Sequence, residues 1–259
     1  MQLLSQHRVP RLGGMPSTAG VTRTFRPRAR AHSRGTRCVA MLLGVVLGHA
    51  VPLRAQPRAF LGIESASAGA ALPGEWRTRA VRGERAPTSR VMDSAGTRFL
   101  RVEGTDVAGW FVRPVEPALR PSAGALMWRW RAPVAPAGAD LRARETDDAP
   151  LRVFVAFGKL RAFGRAPRTI FYSLGGPEPV HHARPGHGSR DVYVVRAGAS
   201  ADATSWVDVR VDPFADYRRA WGEEPPDIAV VGLLQDTEQT RSRAVADLAW
   251  IRWVPDGGT

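Results

Sequence analysis

Residues 125–131 read Ala-Leu-Met-Trp-Arg-Trp-Arg, and this stretch decides the fold class. Leu126, Trp128 and Trp130 are large and apolar, and they alternate with methionine and two arginines. Successive side chains of an extended strand point to opposite faces, so the stretch predicts a β-strand with one buried and one charged face. We expect both tryptophans in the core, because each buries about 200 Å². Residues 205–212, Ser-Trp-Val-Asp-Val-Arg-Val-Asp, repeat the alternation.

Working outward, short runs of β-branched and aromatic residues recur between turns rich in Gly, Pro and Asp. The predicted strands are 76–81, 97–103, 109–115, 125–131, 152–157, 169–174, 191–196, 205–211, 228–235 and 245–254. Residues 212–222 begin with Asp-Pro and end with Gly, which predicts a short helix with an Asp cap. Ten strands and one short helix indicate an all-β fold, an antiparallel β-sandwich of the jelly-roll or galactose-binding-like kind.

The charge of the chain is concentrated in its N-terminal arm. The 259 residues contain 37 Lys+Arg and 24 Asp+Glu, for a formal net charge of +13. Residues 1–55 hold nine of the arginines, and the first carboxylate is Glu64. Removing the nine leaves 28 basic against 24 acidic residues, or +4 for residues 56–259. The net charge of +4 on residues 56–259 therefore gives no support for a nucleic-acid partner.

Residues 39–51 are uncharged and follow an Arg-rich stretch. Thirteen helical residues rise about 20 Å, which is too short for a bilayer core of about 30 Å. The pattern predicts a secretory signal peptide within residues 1–55, cleaved before Gln56 or after Ala50, and a secreted or periplasmic protein with no transmembrane span in the mature chain. The alternative is a disordered arm with an apolar patch. Residues 56–72 are predicted to be a flexible lead-in, and residues 73–255 a single β-sandwich domain.

Charged strand faces supply the candidate binding residues. The candidates are Arg129, Arg131, Asp147, Asp148, Arg152, Trp206, Asp208, Arg210 and Asp236. If their strands are adjacent, two interpretations are open. One is a cross-strand salt-bridge ladder, in which each pair contributes about 0.2–1 kcal/mol. The other is a ligand groove in which arginines bind hydroxyl or carboxylate groups with both arms of the guanidinium.

Catalytic and metal sites are weakly represented. Neither doublet, 147–148 or 223–224, makes an acid/base pair by itself, because adjacent side chains of an extended segment point apart. His181, His182 and His187 lie in a Pro/Gly loop and are expected to be solvated. We therefore predict no catalytic residue, no metal ligand and no cofactor. Two alternatives are a metal bound by the three loop histidines and a single structural Ca²⁺ near Asp236 or Asp247.

Several motifs together resemble a known bacterial family. They are residues 126–131 (LMWRWR), 140–148 with 152–157 (RVFVAF), 216–226 (DYRRAWGEEPP), and 236–240 with 246–248. This ordered set is similar to the domain of unknown function 3047 family and covers roughly the last 150 residues. The resemblance implies an exported bacterial β-sandwich with no established activity. Glu238 stands where the family pattern has Asp, which counts against a cation bound by that acidic motif.

Three functional hypotheses follow. The first is non-catalytic binding of an extracellular ligand such as a glycan, an analogy suggested by an exported jelly-roll-like chain with eight tryptophans and a charged strand face. The second is a glycoside hydrolase or lyase that uses carboxylates of a charged strand face. The third is a structural envelope protein, for which no pocket is expected.

Overall fold

The computed structural model describes residues 56–122, 124–158, 167–176, 178–198, 202 and 204–256. Within these ranges there are thirteen strands and one α-helix. The elements in chain order are β1 (Arg58–Ala59), β2 (Arg77–Ala80), β3 (Thr88–Ser94), β4 (Thr97–Thr105), β5 (Ala108–Leu119), β6 (Gly124–Val134), β7 (Ala149–Phe157), β8 (Thr169–Ser173), β9 (Ala183–Gly186), β10 (Ser189–Arg196), β11 (Val207–Val211), α1 (Pro213–Trp221), β12 (Ile228–Asp236) and β13 (Arg243–Pro255). A 3₁₀ turn, Arg144–Thr146, precedes β7.

The strands form two sheets. The six-stranded sheet has the order β11-β6-β13-β4-β3, with β1 paired to the end of β13, and the seven-stranded sheet has the order β2-β5-β12-β7-β8-β10-β9. All pairs are antiparallel except β8 with β10, which is parallel. Side chains from both sheets form one apolar core cluster, so the sheets pack face to face. The predicted all-β sandwich is confirmed, with one parallel pair as its exception.

Alternation decides which side chains enter this core. Leu126, Trp128 and Trp130 of β6 are fully buried, as their spacing predicts. They face Val153 and Val155 of β7 across the sandwich, in the same core cluster. The intervening residues of each strand therefore point outward, and the two outer faces lie on opposite sides of the domain.

The helix matches its sequence signals. The Asp212 carboxylate accepts hydrogen bonds from the backbone N–H groups of Phe214 and Ala215, both at 3.0 Å. Gly222 ends the helix with φ = 67°, a left-handed conformation that glycine adopts without strain. The Tyr172 hydroxyl of β8 donates to Asp216 at 2.9 Å, which fixes the helix to the seven-stranded sheet.

The sequence pattern did not predict three of the observed strands, β1, β3 and β9. The lead-in predicted for residues 56–72 contains β1 and contributes Phe60, Leu61 and Ile63 to the core. The predicted signal peptide, in residues 1–55, lies outside the described residues. Within the described ranges, no helix has the length and apolarity needed to cross a membrane.

Candidate functional site

The outer face of the six-stranded sheet carries a ladder of ion pairs. Arg129 and Asp208 lie directly opposite each other on β6 and β11, and both arms of the guanidinium contact the carboxylate at 2.6 Å. Arg210 lies 3.4 Å from Asp256. These side chains are largely exposed, so each pair contributes at most about 1 kcal/mol. The charges of these four side chains are therefore neutralised in pairs.

A buried carboxylate anchors the centre of this ladder. Asp247 of β13 is fully buried and accepts from Arg101 at 2.8 and 2.9 Å and from Arg131 at 2.8 Å. The Arg131 guanidinium also lies over the Trp206 ring, 4.5 Å from its centroid. Two arginines thus surround the Asp247 carboxylate oxygens that a Ca²⁺ ion would need. The Trp206 ring covers one of these arginines, Arg131.

The outer face of the seven-stranded sheet is different, because it is apolar. Trp110 of β5, Phe154 of β7 and Phe171 of β8 form a cluster with ring centroids 5.3–5.7 Å apart. Trp110 meets Phe154 edge to face and is itself half-buried. Aromatic pairs in this geometry contribute about 0.5–1.5 kcal/mol beyond the area they bury. The Trp110 ring is therefore held in a fixed position while part of its surface stays accessible.

Gly232 explains how the cluster lies flat on the sheet. It is directly opposite Phe154, in the centre of β12. A Cβ at this position would lie 2.8 Å from Cε2 of Phe154, and two further ring atoms would be closer still. Only glycine leaves the space into which the Phe154 ring folds.

Next to the aromatic cluster lies a compact polar group. Arg152 of β7 is buried and donates to the carboxylates of Asp236 at 2.6 Å and Asp147 at 2.8 Å, and to the Ser173 hydroxyl at 3.0 Å. The Asp147 carboxylate also lies 3.3 Å from the Arg184 guanidinium and 3.7 Å from the His187 imidazole. One guanidinium thus engages both carboxylates.

Burial has a marked effect on Asp236. Loss of hydration raises the pKa of its carboxyl to about 7, even though Arg152 acts in the opposite direction. Nearby acids, including Glu238 and Asp148, raise this pKa further. Asp236 also accepts a hydrogen bond from the backbone N–H of Ala149, so it lies at the base of the polar group.

Two depressions meet at Trp110, and we call them together the Trp110 groove. One holds about 300 Å³ and the other about 370 Å³. The larger part of the lining is apolar or glycine. The groove is lined by Arg79, Ala80, Val81, Arg82, Trp110, Val112, Arg144, Asp147, Arg152, Phe171, Gly186, His187, Gly188, Ser189, Val192, Val194, Leu234 and Gln239. An apolar concavity with a few convergent polar groups is the usual form of a ligand site.

The structure divides the nine sequence candidates into two groups. Arg129, Arg131, Trp206, Asp208 and Arg210 lie on the six-stranded sheet. The remaining four lie at or behind the Trp110 groove. Of these, Asp147 and Arg152 line it. Asp236 is buried behind Arg152. Asp148, just before β7, is also buried and accepts a hydrogen bond from the backbone N–H of Thr240, in the turn after β12, at 2.7 Å.

Trp110, Phe154 and Phe171 were not among these candidates. A signal for them exists in the sequence. β7 and β12 are apolar at nearly every position, so both faces of the seven-stranded sheet are apolar at its centre. Among the described residues, no group of three or more His, Cys, Asp or Glu side chains is arranged to hold a metal ion.

Comparisons place the chain among proteins without an assigned activity. The family model described as "Protein of unknown function (DUF3047)" matches residues 74–252. No curated protein matches the sequence.

Two solved structures resemble the domain distantly. A family 11 carbohydrate-binding module from Clostridium thermocellum is 11% identical, with 77% of this chain and 95% of that chain covered at a TM-score of 0.42. The family 11 xylanase from Neocallimastix patriciarum is 10% identical, with 69% and 90% covered at a TM-score of 0.36. At these values neither likeness assigns a function.

Proposed function

Since the chain belongs to the family "Protein of unknown function (DUF3047)", which supplies no activity, we propose a function from its own geometry: it binds a glycan in the Trp110 groove without cleaving it. The observation that carries this proposal is a rigid, partly accessible tryptophan beside a fixed set of polar groups.

The chemistry of a sugar fits this arrangement. A pyranose ring has an apolar C–H face, which packs favourably on an aromatic ring because both surfaces leave water. Its edge carries hydroxyls that both donate and accept hydrogen bonds. Trp110 offers the flat surface, and Asp147, His187 and Gln239 offer donors and acceptors in the same depression. The Trp110 ring lies on β5, and Asp147 is held by Arg152 at 2.8 Å, so these two groups need little ordering when a ligand binds.

The ion pairs that Asp147 and Asp236 form with Arg152 favour ligand binding over hydrolysis. A glycosidase needs two carboxyl groups free to protonate, attack or activate water across the scissile bond. Here Asp147 and Asp236 both contact Arg152, and Asp236 does not line the groove. The raised pKa of Asp236 is the one observation that favours the hydrolase alternative, because general acids have such values. Its burial behind Arg152 removes it from reach of a substrate.

The same groove favours ligand binding over a purely structural envelope role, for which no concavity is needed. We also propose that the protein acts outside the cytoplasm. Support for export comes from the sequence, where arginines precede thirteen uncharged residues, 39–51.

Binding is tested by affinity electrophoresis of the purified protein through gels that contain soluble polysaccharides. Trp110→Ala removes the stacking surface, so we expect its retardation to be lost while its unfolding transition stays cooperative. Trp206→Ala is the matched variant, because Trp206 is also half-buried and lies on the opposite sheet. We expect Trp206→Ala to migrate like the wild type.

Three results would contradict the proposal. No retardation of the wild type by any glycan would exclude this function. Loss of retardation in Trp206→Ala but not in Trp110→Ala would move the site to the six-stranded sheet. Release of reducing ends during incubation would favour the hydrolase.

A further inference from the structure

We propose that the ligand of the Trp110 groove is an anionic glycan, a polysaccharide chain bearing carboxylate or sulfate groups. This inference rests on the proposed function and specifies the class of its ligand.

The charges that line the groove are unbalanced. Four arginines line it, Arg79, Arg82, Arg144 and Arg152, whereas among the described residues Asp147 is the one carboxylate in the lining. Asp147 is already engaged by Arg152 at 2.8 Å and is approached by Arg184 at 3.3 Å. The groove therefore presents an excess of positive charge, although residues 56–259 as a whole carry only +4.

Three of these arginines are available to a ligand. Arg79, Arg82 and Arg144 are exposed, and none of them forms an ion pair or a side-chain hydrogen bond within the part of the chain that the structure describes. Most other arginines on the domain surface do have partners; Arg129 with Asp208 and Arg218 with Glu224 are examples. Three guanidinium groups without a partner among the described residues therefore lie along one groove, although others, such as Arg252 on the six-stranded sheet, lie elsewhere.

The positions of these arginines call for a long ligand. Arg79 lies on β2 directly opposite Trp110, and Trp110 lies opposite Leu234, which in turn lies opposite Arg152. This row crosses the sheet and places Trp110 between Arg79 of β2 and the polar group, with Arg82 two residues beyond the end of β2. Strands are spaced about 4.8 Å apart, so the seven strands from β2 to β9 span about 29 Å. A ligand that reaches both ends of the groove must be a chain.

Guanidinium chemistry selects the charge of that chain. The planar fork of arginine matches carboxylate and sulfate oxygens with two parallel hydrogen bonds, and a charged acceptor roughly doubles the strength of each bond. A single accessible tryptophan between the basic ends suits a sugar ring. Nucleic-acid grooves instead use several stacking aromatics along a basic track, so a polynucleotide is an outcome of the test rather than the expected ligand.

The test compares charged and neutral forms of the same polymer. Affinity electrophoresis is run with polygalacturonate, with fully methyl-esterified pectin as its uncharged counterpart, with dextran sulfate against dextran, and with a single-stranded oligonucleotide. The proteins are the wild type, Arg79→Gln/Arg82→Gln, Arg144→Gln, Trp110→Ala and Arg252→Gln. Arg252 is the control, because it is exposed and points outward from the six-stranded sheet, where it stacks on Trp250 at 4.3 Å.

We expect a charged polymer to retard the wild type more than its neutral form does. Polygalacturonate against methyl-esterified pectin tests carboxylate binding, and dextran sulfate against dextran tests sulfate binding. Arg79→Gln/Arg82→Gln should weaken binding about tenfold, and Arg252→Gln should leave it unchanged. Binding should also weaken as salt rises.

The anionic ligand would be overturned if neutral and charged polymers bound equally well and the arginine variants kept the affinity of the wild type. If Trp110→Ala lost binding in the same experiment, the glycan function would still stand. Tighter binding of the oligonucleotide than of every polysaccharide would overturn the ligand class. Polyanion binding that Trp110→Ala leaves intact would contradict the proposed function itself.

Discussion

The replacement Gly232→Ala tests whether the central strand β12 is shaped around the aromatic cluster. The added Cβ would lie 2.8 Å from Cε2 of Phe154 and closer to two other ring atoms, so the ring must move. Overpacking of this kind costs about 1–3 kcal/mol. Displacing Phe154 also loosens its contacts with Trp110 and Phe171, at ring-centroid distances of 5.3 and 5.4 Å.

We therefore expect Gly232→Ala to lower the free energy of unfolding by about 2 kcal/mol, or Tm by roughly 4–8 °C for a domain of this size. Urea unfolding followed by tryptophan fluorescence measures the change. Gly74→Ala is the matched control, since no atom lies within 4 Å of its added Cβ and its φ is ordinary. The double variant Phe154→Leu/Gly232→Ala should be less destabilised than the two single changes added together, because a smaller side chain leaves room for the methyl group.

Two results would refute this reasoning. Equal stability of Gly232→Ala and Gly74→Ala would mean that the Phe154 ring can move without cost. Strict additivity in the double variant would mean that any destabilisation arises elsewhere, for example in the backbone of β12.

The remaining predictions concern charge and export. Asp247→Asn should lower the free energy of unfolding by about 3 kcal/mol or more, because Asp247 is fully buried between two arginines. Asp208→Asn on the same face should lower it by less than about 1 kcal/mol, because that ion pair is exposed. Urea unfolding measures both changes, and equal losses would contradict the assigned burial. The pKa of Asp236 is raised in the folded state to about 7, so the folded state binds its proton more tightly and the free energy of unfolding should fall as pH rises from about 4 to 7. Asp236→Asn should flatten that part of the stability profile, and a profile identical to the wild type would show that Asp236 does not titrate there. Amino-terminal sequencing of protein recovered from the periplasm or medium of a bacterial host should show a chain that begins at Gln56 or at Val51. Recovery of only cytoplasmic protein with an intact start would exclude export.

Strand alternation is the part of this fold that sequence predicts best. The β6 pattern, with Trp128 and Trp130 on one face, identifies both the strand and its buried side, because one sheet face packs and the other meets water. The missed strands lack this contrast. β3 buries only Val91, and β9 consists of Ala, Arg, Pro and Gly. Both are edge strands, held by a neighbour rather than by their own pattern.

The candidate site was harder to predict, since it depends on which sheet a strand joins. Arg131 and Arg152 look alike in sequence, each being an arginine that alternates with apolar residues. Their sheets face opposite ways, so Arg131 joins a neutralised ladder and Arg152 borders a groove. The same ambiguity holds for the acids. Asp208 follows Val207, and Asp236 comes two residues after the apolar run 228–234, yet Asp208 is exposed and Asp236 is buried. Strand order is a long-range property that local periodicity does not contain.

The separation of the two apolar clusters has a consequence for how this domain tolerates change. Folding rests on the cluster between the sheets, whereas Trp110, Phe154 and Phe171 belong to the outer side of one sheet. Substitutions on the rim of the outer cluster can therefore alter what the groove accepts without disturbing the packing that keeps the chain folded. Related sequences would then share the inner cluster and differ at the groove, and the same division makes the scaffold a good starting point for engineering new specificities.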